Sequence, residues 1–486
     1  MMENLRNKAV TGVMWTSIQR FMTIFIQFVS GIILARLLTP DDYGCIGMLS
    51  IFMLIAASFI DGGFGSALIQ KKQPTQEDYS TIFYWNVGIS TVIYLLLFFA
   101  APWIANFYHI ELLCSVLRVQ GLVLIINALQ VVQTSQLNKQ FKFKKLSIVT
   151  LCSTVVSLVV TIILAYKGFG VWALVTQNLL MAIIPTTVYW LTNGWLPSWT
   201  FSVSSFKELF SFGFYIFLTS LLSAFVNNIQ GLLIGRIYNS ATMGYYSKAH
   251  STEKLSSTSI SQVVGQVSYP LYAELQDNKE RLADTIKKLT QSLTYITFPL
   301  MLLLCLVAEP LFCILYGDKW LPAVPYFQLL CIAGLAICLQ AVNSQAIAAI
   351  GKSKEMFIWA LIKQSAGLAL MLSGMYFGGI WGLLVGMVLK SWIIYIIHAG
   401  LVSHYIGYKM KKQAYDILPI LLVVLFSFAV SYCSSSFFKD NMYIAGCVRG
   451  VVFVGIYVSL SLLFKLDAFK ISWDLLSPYL HKLKRR

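Results

Sequence analysis

Long apolar segments alternate with short polar and basic segments along the whole chain. An α-helix needs roughly 20 apolar residues to cross the hydrocarbon core of a bilayer, and most of these segments have that length. The pattern predicts an all-α integral membrane protein with about 14 transmembrane helices. We expect helices near residues 11–35, 43–68, 79–100, 115–136, 146–166, 170–192, 210–235, 243–271, 291–315, 323–349, 356–376, 379–403, 415–434 and 442–464.

The eighth segment, 243–271, is the least apolar of these. It contains Lys248, His250, Glu253, Lys254 and seven serines, so hydropathy alone would not identify it. The basic residues nevertheless favour a crossing there, because Lys and Arg concentrate in cytoplasmic segments. With fourteen crossings and a cytoplasmic N-terminus, the opposite side carries five of the 36 Lys and Arg residues, which are Arg36, Lys167, Arg236, Lys319 and Lys439. Without this helix, most later basic residues would face outward. We expect both termini in the cytoplasm.

Two sequence blocks recur at matching positions. GIILAR at 31–36 matches GLLIGR at 231–236, and Gly44 matches Gly244 at the same offset. GVWALV at 170–175 matches GIWGLL at 379–384. Both matches relate helix n to helix n+6, so the two copies enter the membrane in the same direction. This is the parallel type of transporter repeat, in which the substrate path runs between the halves.

The repeat predicts two six-helix lobes related by a pseudo-two-fold axis along the membrane normal. The N-terminal lobe comprises residues 1–205 and the C-terminal lobe comprises 206–405. Transmembrane helices 13 and 14 lie in 406–466, outside the repeat, and a basic cytoplasmic tail follows at 467–486.

The composition agrees with a lipid environment. Hydrophobic residues make up 58% of the chain and charged residues 12%, against about 25% charged residues in soluble domains. The net charge of +16 is spread over short segments, so we expect no nucleic-acid partner. None of the nine cysteines forms a CxxC pair, and we expect no metal site and no cofactor. A short basic segment precedes the first apolar stretch, which favours a retained helix over a cleaved signal peptide.

Polar side chains form stripes on three predicted helices, because spacings of three and four keep residues on one helix face. The stripe on helix 1 comprises Arg20, Thr23, Gln27 and Ser30. The stripe on helix 7 comprises Ser220, Ser223, Asn227 and Gln230, and that on helix 8 comprises Ser247, Ser251, Lys254, Thr258 and Ser261. Such a stripe cannot face lipid. It either forms hydrogen bonds between helices or lines a water-filled cavity.

Seven basic residues lie within predicted spans, against two acids, Asp61 and Glu253. The basic residues are Arg20, Arg118, Lys248, Lys254, Lys363, Lys390 and Arg449. Each central charge costs roughly 2.5–3.5 kcal/mol, and so few acids cannot pair with most of them. Lys248 and Arg449 lie near helix ends, from which long side chains can reach the interface. A cationic cavity that binds an anion accounts for the others.

We therefore predict a substrate site with a cationic part and a polar lining. The cationic residues are Arg20, Lys254, Lys248, Arg118, Lys390 and Lys363. The polar lining comprises Thr23, Gln27, Ser30, Ser223, Asn227, Gln230, Ser251 and Thr258. Asp61 and Glu253 are candidates for binding a coupling ion.

The sequence lacks the motifs of common enzyme classes. It has no phosphate-binding Walker loop, no dinucleotide-binding glycine pattern and no histidine pair at metal-binding spacing. The outward loops are too short to hold a catalytic domain, which disfavours a membrane-embedded glycosyltransferase or polymerase. We predict a transporter that has no catalytic residues.

Several segments resemble the polysaccharide-exporter, or Wzx-type, branch of the multidrug/oligosaccharidyl-lipid/polysaccharide (MOP) flippase superfamily. They are KAVTGVMW at 8–15, LARLLTPDDYG at 34–44, DGGFG at 61–65, FYWN at 83–86, GFGVW at 168–172, YPLY at 269–272 and LYGDKW at 315–320. The similarity extends from residue 1 to about 405 and is closest to the subgroup of colanic-acid and teichuronic-acid exporters.

The resemblance implies a flippase of the bacterial inner membrane that moves undecaprenyl-pyrophosphate-linked oligosaccharide repeat units outward by alternating access. Such proteins act in lipopolysaccharide and exopolysaccharide biosynthesis. The implied partners are the lipid-linked anionic oligosaccharide, membrane lipids and polysaccharide-assembly proteins. In the related lipid II flippases, basic residues of helices 1, 2 and 8 line the cavity. Helix 1 here offers Arg20 and helix 8 offers Lys248 and Lys254, whereas helix 2 offers only Asp61.

Two alternatives stay open within the same superfamily. A lipid II flippase would bind a similar diphosphate, and the sequence does not distinguish the two glycans. A cation-coupled multidrug exporter would need membrane carboxylates that bind organic cations, and helix 1 has none.

Overall fold

The structure, a computed structural model, describes residues 2–351, 353–434 and 441–469. These residues form α-helices and one short 3-10 helix, with no β-strand among them. The all-α fold expected from the apolar segments is therefore confirmed. The chain divides into two compact units, Met1–Gly244 and Tyr245–Arg486.

The first unit contains ten helices and the start of an eleventh. They are α1 (Met2–Leu37), α2 (Pro40–Asp61), α3 (Phe64–Gln70), α4 (Gln76–Tyr108), α5 (Leu112–Gln120), α6 (Leu122–Ala128), α7 (Val131–Lys139), α8 (Phe143–Tyr166), α9 (Val171–Asn193), α10 (Val203–Ile237) and the beginning of α11 (Ser240–Glu274). The span predicted near 115–136 corresponds to one membrane-length segment, Leu112–Lys139, which consists of three short consecutive helices, α5 to α7. The breaks fall at Gly121 and at Leu129–Gln130.

The second unit contains the rest of α11 and the remaining helices. They are α12 (Lys279–Leu306), α13 (Ala308–Tyr316), the 3-10 helix (Asp318–Ala323), α14 (Val324–Ala349), α15 (Ser353–Tyr405), α16 (Met410–Ser434) and α17 (Met442–Leu463). Of the predicted basic tail, residues 470–486 lie outside the described part of the chain, as does Lys439.

Eleven helical segments of the described residues are long and apolar enough to cross a membrane. One of them, Ile358–Tyr405, is interrupted at Gly379, where the backbone leaves the helical conformation. Helices α10 and α11 have 35 residues each and match the predicted seventh and eighth spans in position. They are outside that group of eleven, so the total of 14 crossings stays a prediction.

The starts of α2 and α4 show how the sequence sets helix boundaries. Thr39 and Thr75 each precede a helix and form a reciprocal capping box with the aspartate three residues later, Asp42 and Asp78. A capping box satisfies backbone N–H groups that have no partner inside the helix. Helix α2 ends at Asp61 and is followed by Gly62, whose φ of 48° is the left-handed conformation that glycine adopts without strain.

Two sets of helix–helix contacts hold the first unit together. Helix α8 packs between α1 and α9, and α10 packs against α2, α3 and α4. Aromatic side chains fill the space beside α3, where Phe64 and Phe83 are buried against Trp85 and Phe206. The sequence assigns α10 to the second lobe. Its contacts described here are with first-unit helices, and the lobe boundary at 205/206 stays a prediction.

The glycines matched by the internal repeat make reciprocal close contacts in the first unit. A Cβ atom at Gly44 would overlap the carbonyl oxygen of Ser240, and one at Gly244 would overlap that of Pro40. The four positions are related by the offset of 200. The absence of a side chain at both glycines therefore lets the start of α2 approach the start of α11 at backbone distance.

The second unit is built around α14, which packs against α12 and α15. Helices α16 and α17 pack against each other and against α12. The two halves of α15 meet through small residues. Gly374 and Gly382 lie so close that a Cβ atom at either one would overlap the backbone of the other. This explains why the chain can fold back at Gly379 into a tight helical hairpin.

Candidate functional site

The polar stripe of α1 has an exposed part and a buried part. The side chains of Arg20 and Gln27 are exposed, whereas Thr23 is half-buried and Ser30 is buried. The Ser30 hydroxyl donates to the backbone carbonyl of Gln27 at 2.9 Å. Arg20 and Gln27 are therefore the members of this stripe that have access to a ligand.

The stripe of α10 repeats this arrangement at the offset of 200. Asn227, which matches Gln27, is exposed, and Gln230, which matches Ser30, is buried. The Gln230 side-chain amide donates to the carbonyl of Asn227 at 2.5 Å. Ser223 is half-buried. At these three matched pairs the internal repeat preserves side-chain exposure and the direction of the hydrogen bond, whereas Ser220, which matches the exposed Arg20, is half-buried.

Helix α11 presents its charged residues on two different faces. Lys254 and Ser251 are exposed, and the Ser251 hydroxyl donates to the backbone carbonyl of Lys248 at 3.0 Å. Lys248 and Glu253 are buried, with 4% and 2% of their surfaces exposed. The predicted stripe through Ser251 and Lys254 is therefore accessible. The side chain of Thr258 lies outside the described part of the chain.

Lys248 contacts aromatic rings within the second unit. Its ammonium nitrogen lies 4.0 Å from the ring centroid of Tyr316 and 5.8 Å from that of Trp320. The negative faces of aromatic rings attract cations, and the attraction is strongest where water is excluded. These contacts account for a buried lysine at this position.

Arg118 contacts α4 in the first unit. Its Nε donates to the carbonyl of Phe98 at 3.3 Å, and its guanidinium carbon lies 4.4 Å from the Phe98 ring centroid. The side chain is half-buried. A carbonyl and a ring face of the protein therefore already interact with this predicted site residue.

Lys363 and Lys390 lie on opposite halves of α15. The Lys363 ammonium is 2.7 Å from Nε2 of His398, and the aliphatic carbons of Lys390 cover Gly367. Both lysines are half-buried. The helical hairpin thus positions two of the predicted cations within the second unit.

The structure describes the side chain of only one of the two acids that are predicted to bind a coupling ion. Asp61 is the last residue of α2, and its side chain is outside the described part. Glu253 is buried on the face of α11 that packs against α14.

A cavity of about 520 Å³ opens elsewhere in the second unit, between α12, α16 and the segment that follows α17. Its polar lining comprises Gln291, Asp416, Lys465 and Asp467. None of the predicted site residues lines this cavity. Its position therefore gives no support to a role in the predicted substrate site.

The chain matches a known protein family over much of its length. The sequence profile of the family described as "Polysaccharide biosynthesis protein" matches residues 33–325, which is more than half of the chain. The chain belongs to this family. The resemblance to polysaccharide exporters that the motifs quoted above indicated is confirmed at the level of this family.

Two relatives show how far the similarity extends. Teichuronic acid biosynthesis protein TuaB of Bacillus subtilis (strain 168) is 27% identical over 360 residues, which cover 74% of this chain and 74% of TuaB. Succinoglycan biosynthesis transport protein ExoT of Rhizobium meliloti (strain 1021) is 24% identical over 360 residues, which cover 74% of this chain and 73% of ExoT.

A solved structure supports the fold independently. Lipid II flippase MurJ, in an inward closed conformation, gives a TM-score of 0.71 at 15% identity and covers 95% of this chain and 100% of the MurJ chain. The similarity shows that the chain shares the all-α fold of this membrane protein. The chain is a multi-pass membrane protein.

Several partners of the site residues were missed by reasoning from the sequence. His398 was one of five scattered histidines, and its contact with Lys363 follows from the antiparallel hairpin of α15. Pairing residues across the turn at Gly379 would have suggested it. The aromatic neighbours of Lys248 belong to the LYGDKW motif at 315–320. In the sequence, this motif indicated only the family resemblance.

Proposed function

We propose that this protein moves undecaprenyl-pyrophosphate-linked oligosaccharide repeat units outward across the bacterial inner membrane by alternating access. The family and the named relatives support the coarser statement that it is a polysaccharide exporter of the MOP superfamily rather than an enzyme. The diphosphate head group, the cationic residues that bind it and the inner-membrane location are the proposed additions.

The observation that carries the proposal is the difference in exposure among the predicted cations. Arg20 and Lys254 are exposed, whereas Lys248 is buried beside aromatic rings and Arg118 interacts with Phe98. A diphosphate needs cations that it can reach from water. We therefore assign the head-group contacts first to Arg20 and Lys254, each within its own unit.

The chemistry of the two side chains fits a diphosphate. A guanidinium presents a planar fork of N–H donors that can bind two phosphate oxygens at once, and an ammonium acts as a compact point charge. Gln27, Asn227 and Ser251 are the exposed polar residues of the three stripes. Their amides and hydroxyl can exchange hydrogen bonds with sugar hydroxyls without discriminating strongly among sugars.

The proposal is tested by replacing the two cations in the producing strain. Arg20→Ala and Lys254→Ala are each expected to reduce surface polysaccharide at least about tenfold, because a charge-assisted contact contributes about 1.5–3 kcal/mol. Lipid-linked intermediates should accumulate in the same cells. Lys167→Ala, which removes an exposed cation outside the predicted spans, is the matched control and should leave both quantities unchanged.

Three outcomes would contradict the site assignment or favour a competing function. Normal surface polysaccharide in both variants, at normal protein levels, would contradict the site assignment. Normal polysaccharide together with new sensitivity to cationic drugs in the deletion strain would favour a multidrug exporter. Accumulated lipid II with normal polysaccharide intermediates would favour a lipid II flippase.

A further inference from the structure

Glu253 is a buried acid in a helix that otherwise presents hydroxyls and cations. Only 2% of its surface is exposed, and its Oε1 atom has no hydrogen-bond partner in the described part of the chain. Ser257, one turn further along α11, is also buried, and its hydroxyl faces the Glu253 carboxyl group. A buried carboxyl oxygen without a partner is unusual, because buried polar atoms in proteins are nearly always hydrogen-bonded.

The surroundings of Glu253 provide space but no ion-pair partner among the described residues. A Cβ atom at Gly334 of α14 would lie 2.6 Å from Oε1, so the carboxyl group occupies the space that a side chain would fill. Met301 of α12 contributes a sulfur atom, 3.3 Å from the same Cβ position. No ion pair to Glu253 is formed within the described ranges.

The titratable neighbours come from several elements. Helix α11 contributes Lys248, whose ammonium lies over Tyr316, and the buried ring of His250. It also contributes Lys254, which acts on the carboxyl group only through its charge because its side chain is exposed. Helix α14 contributes the thiols of Cys331 and Cys338, with Cys305 of α12 beside Cys331.

These neighbours favour a proton over a metal ion as the ligand. Sodium, magnesium and calcium require several oxygen ligands, whereas one carboxyl and one hydroxyl group face a thioether and thiols here. An ionised carboxylate buried without an ion-pair partner is strongly disfavoured, and a bound proton removes the charge. Acids of this kind within membranes commonly belong to proton pathways.

We propose that Glu253 is a proton-binding site whose occupancy is coupled to anion binding at the adjacent Lys254. The step is an acid–base exchange: an anion on Lys254 cancels the charge that favours the carboxylate, so Glu253 takes up a proton from water as the anion binds and returns it to water when the anion leaves. Glu253 and Lys254 are consecutive residues on different faces of α11, so a movement of this helix changes both environments together. The coupling half of this inference rests on the proposed function, and the protonation half does not.

Protonation is tested without any substrate. The purified protein is reconstituted in vesicles of phosphatidylethanolamine and phosphatidylglycerol, and infrared difference spectra are recorded over a pH titration. We expect the carbonyl band of a protonated carboxyl group at neutral pH, and we expect Glu253→Gln to remove it. Glu274→Gln, which changes an exposed acid of the same helix, is the matched control and should retain the band. An unchanged band in Glu253→Gln would overturn the inference.

A second variant keeps the infrared test informative if Glu253→Gln does not fold. Gly334→Ala leaves the acid in place but fills its space, so we expect the same band at a shifted frequency. A band that neither shifts in Gly334→Ala nor disappears in Glu253→Gln comes from another residue and refutes the assignment.

Coupling is tested with undecaprenyl pyrophosphate as the probe. At the pH at which the infrared band has half its full height, binding of the probe to the wild-type protein in weakly buffered solution should increase the number of bound protons by up to about one half per site, because linked sites exchange free energy reciprocally. Glu253→Gln should bind the probe without this change, and Lys254→Ala should lose binding. Binding with no proton change in the wild-type protein refutes the coupling. Failure of the wild-type protein to bind refutes the proposed function, while the infrared result still decides protonation.

Discussion

At the scale of single residues, this protein places charged side chains within or beside apolar helices and gives many of them specific partners. Asp78 is 1% exposed, caps α4 through Thr75 and accepts from the Lys71 ammonium at 3.1 Å. Lys71 also pairs with Glu208 at 2.9 Å. Partial burial alone would lower the pKa of Lys71, but its hydrogen bonds to Glu208 and Asp78 outweigh that effect and raise the pKa.

This cluster predicts a contrast between two acid substitutions. Asp78→Ala removes a buried cap and one ion-pair partner, so we expect a loss of about 1–3 kcal/mol in stability. Glu208→Ala removes a 62% exposed partner and should cost below about 1 kcal/mol. Thermal unfolding of the detergent-solubilised variants measures the difference. Equal losses in the two variants would contradict this account of the cluster.

The same cluster has a pH dependence with a definite sign. A raised lysine pKa contributes stability at pH values below the ordinary lysine pKa of about 10.4, and this contribution is lost as the pH rises through the raised value. The destabilisation caused by Asp78→Ala should therefore shrink in strongly alkaline buffer. A difference that stays constant across that range would show that helix capping alone is responsible.

At the scale of helices, the apolar segments predicted most elements well because span length is fixed by bilayer thickness. The doubtful segment 243–271 is α11 (Ser240–Glu274), although hydropathy does not select it. The breaks among α5, α6 and α7 were missed, because hydropathy records total apolar content and not local backbone geometry. Contacts such as Lys363 with His398 join residues 35 apart, and their register depends on the hairpin.

The reciprocal glycines give a prediction at this scale. Gly44→Ala and Gly244→Ala each place a methyl group against a backbone carbonyl, and we expect each to destabilise the first unit by about 1–3 kcal/mol through overpacking. Gly88→Ala is the control, because a Cβ atom there has nothing within 4 Å and alanine favours a helix by up to about 1 kcal/mol. Thermal unfolding midpoints compare the three variants. A midpoint for Gly44→Ala at or above that of Gly88→Ala would contradict the close approach.

At the scale of the whole molecule, the distribution of Lys and Arg predicts the orientation. Lys142 and Lys167 are exposed at opposite ends of α8, and the prediction places Lys142 in the cytoplasm and Lys167 outside. In a version without native cysteines, Lys167→Cys should react with an impermeant maleimide in intact spheroplasts. Lys142→Cys should react only after permeabilisation, and the reverse pattern would contradict the predicted topology.

The candidate site was predictable in its residue types but only partly in its geometry. Helical spacing identified the stripes of α1, α10 and α11, in which Arg20, Gln27, Asn227 and Lys254 are exposed whereas Ser30 and Gln230 are buried. Spacing along one helix cannot show which side chains meet another helix. The aromatic neighbours of Lys248 and the space for Glu253 beside Gly334 arise from such contacts.

The central claim is that a lipid-linked oligosaccharide crosses the membrane through this protein. Its most direct test is deletion of the gene in the producing strain, followed by mass spectrometry of undecaprenyl-pyrophosphate-linked glycans and of the surface polysaccharide. Accumulation of lipid-linked repeat units together with loss of the surface polymer is the predicted result, and the mass of those units would identify the sugar. Normal amounts of both in the deletion strain would contradict the claim.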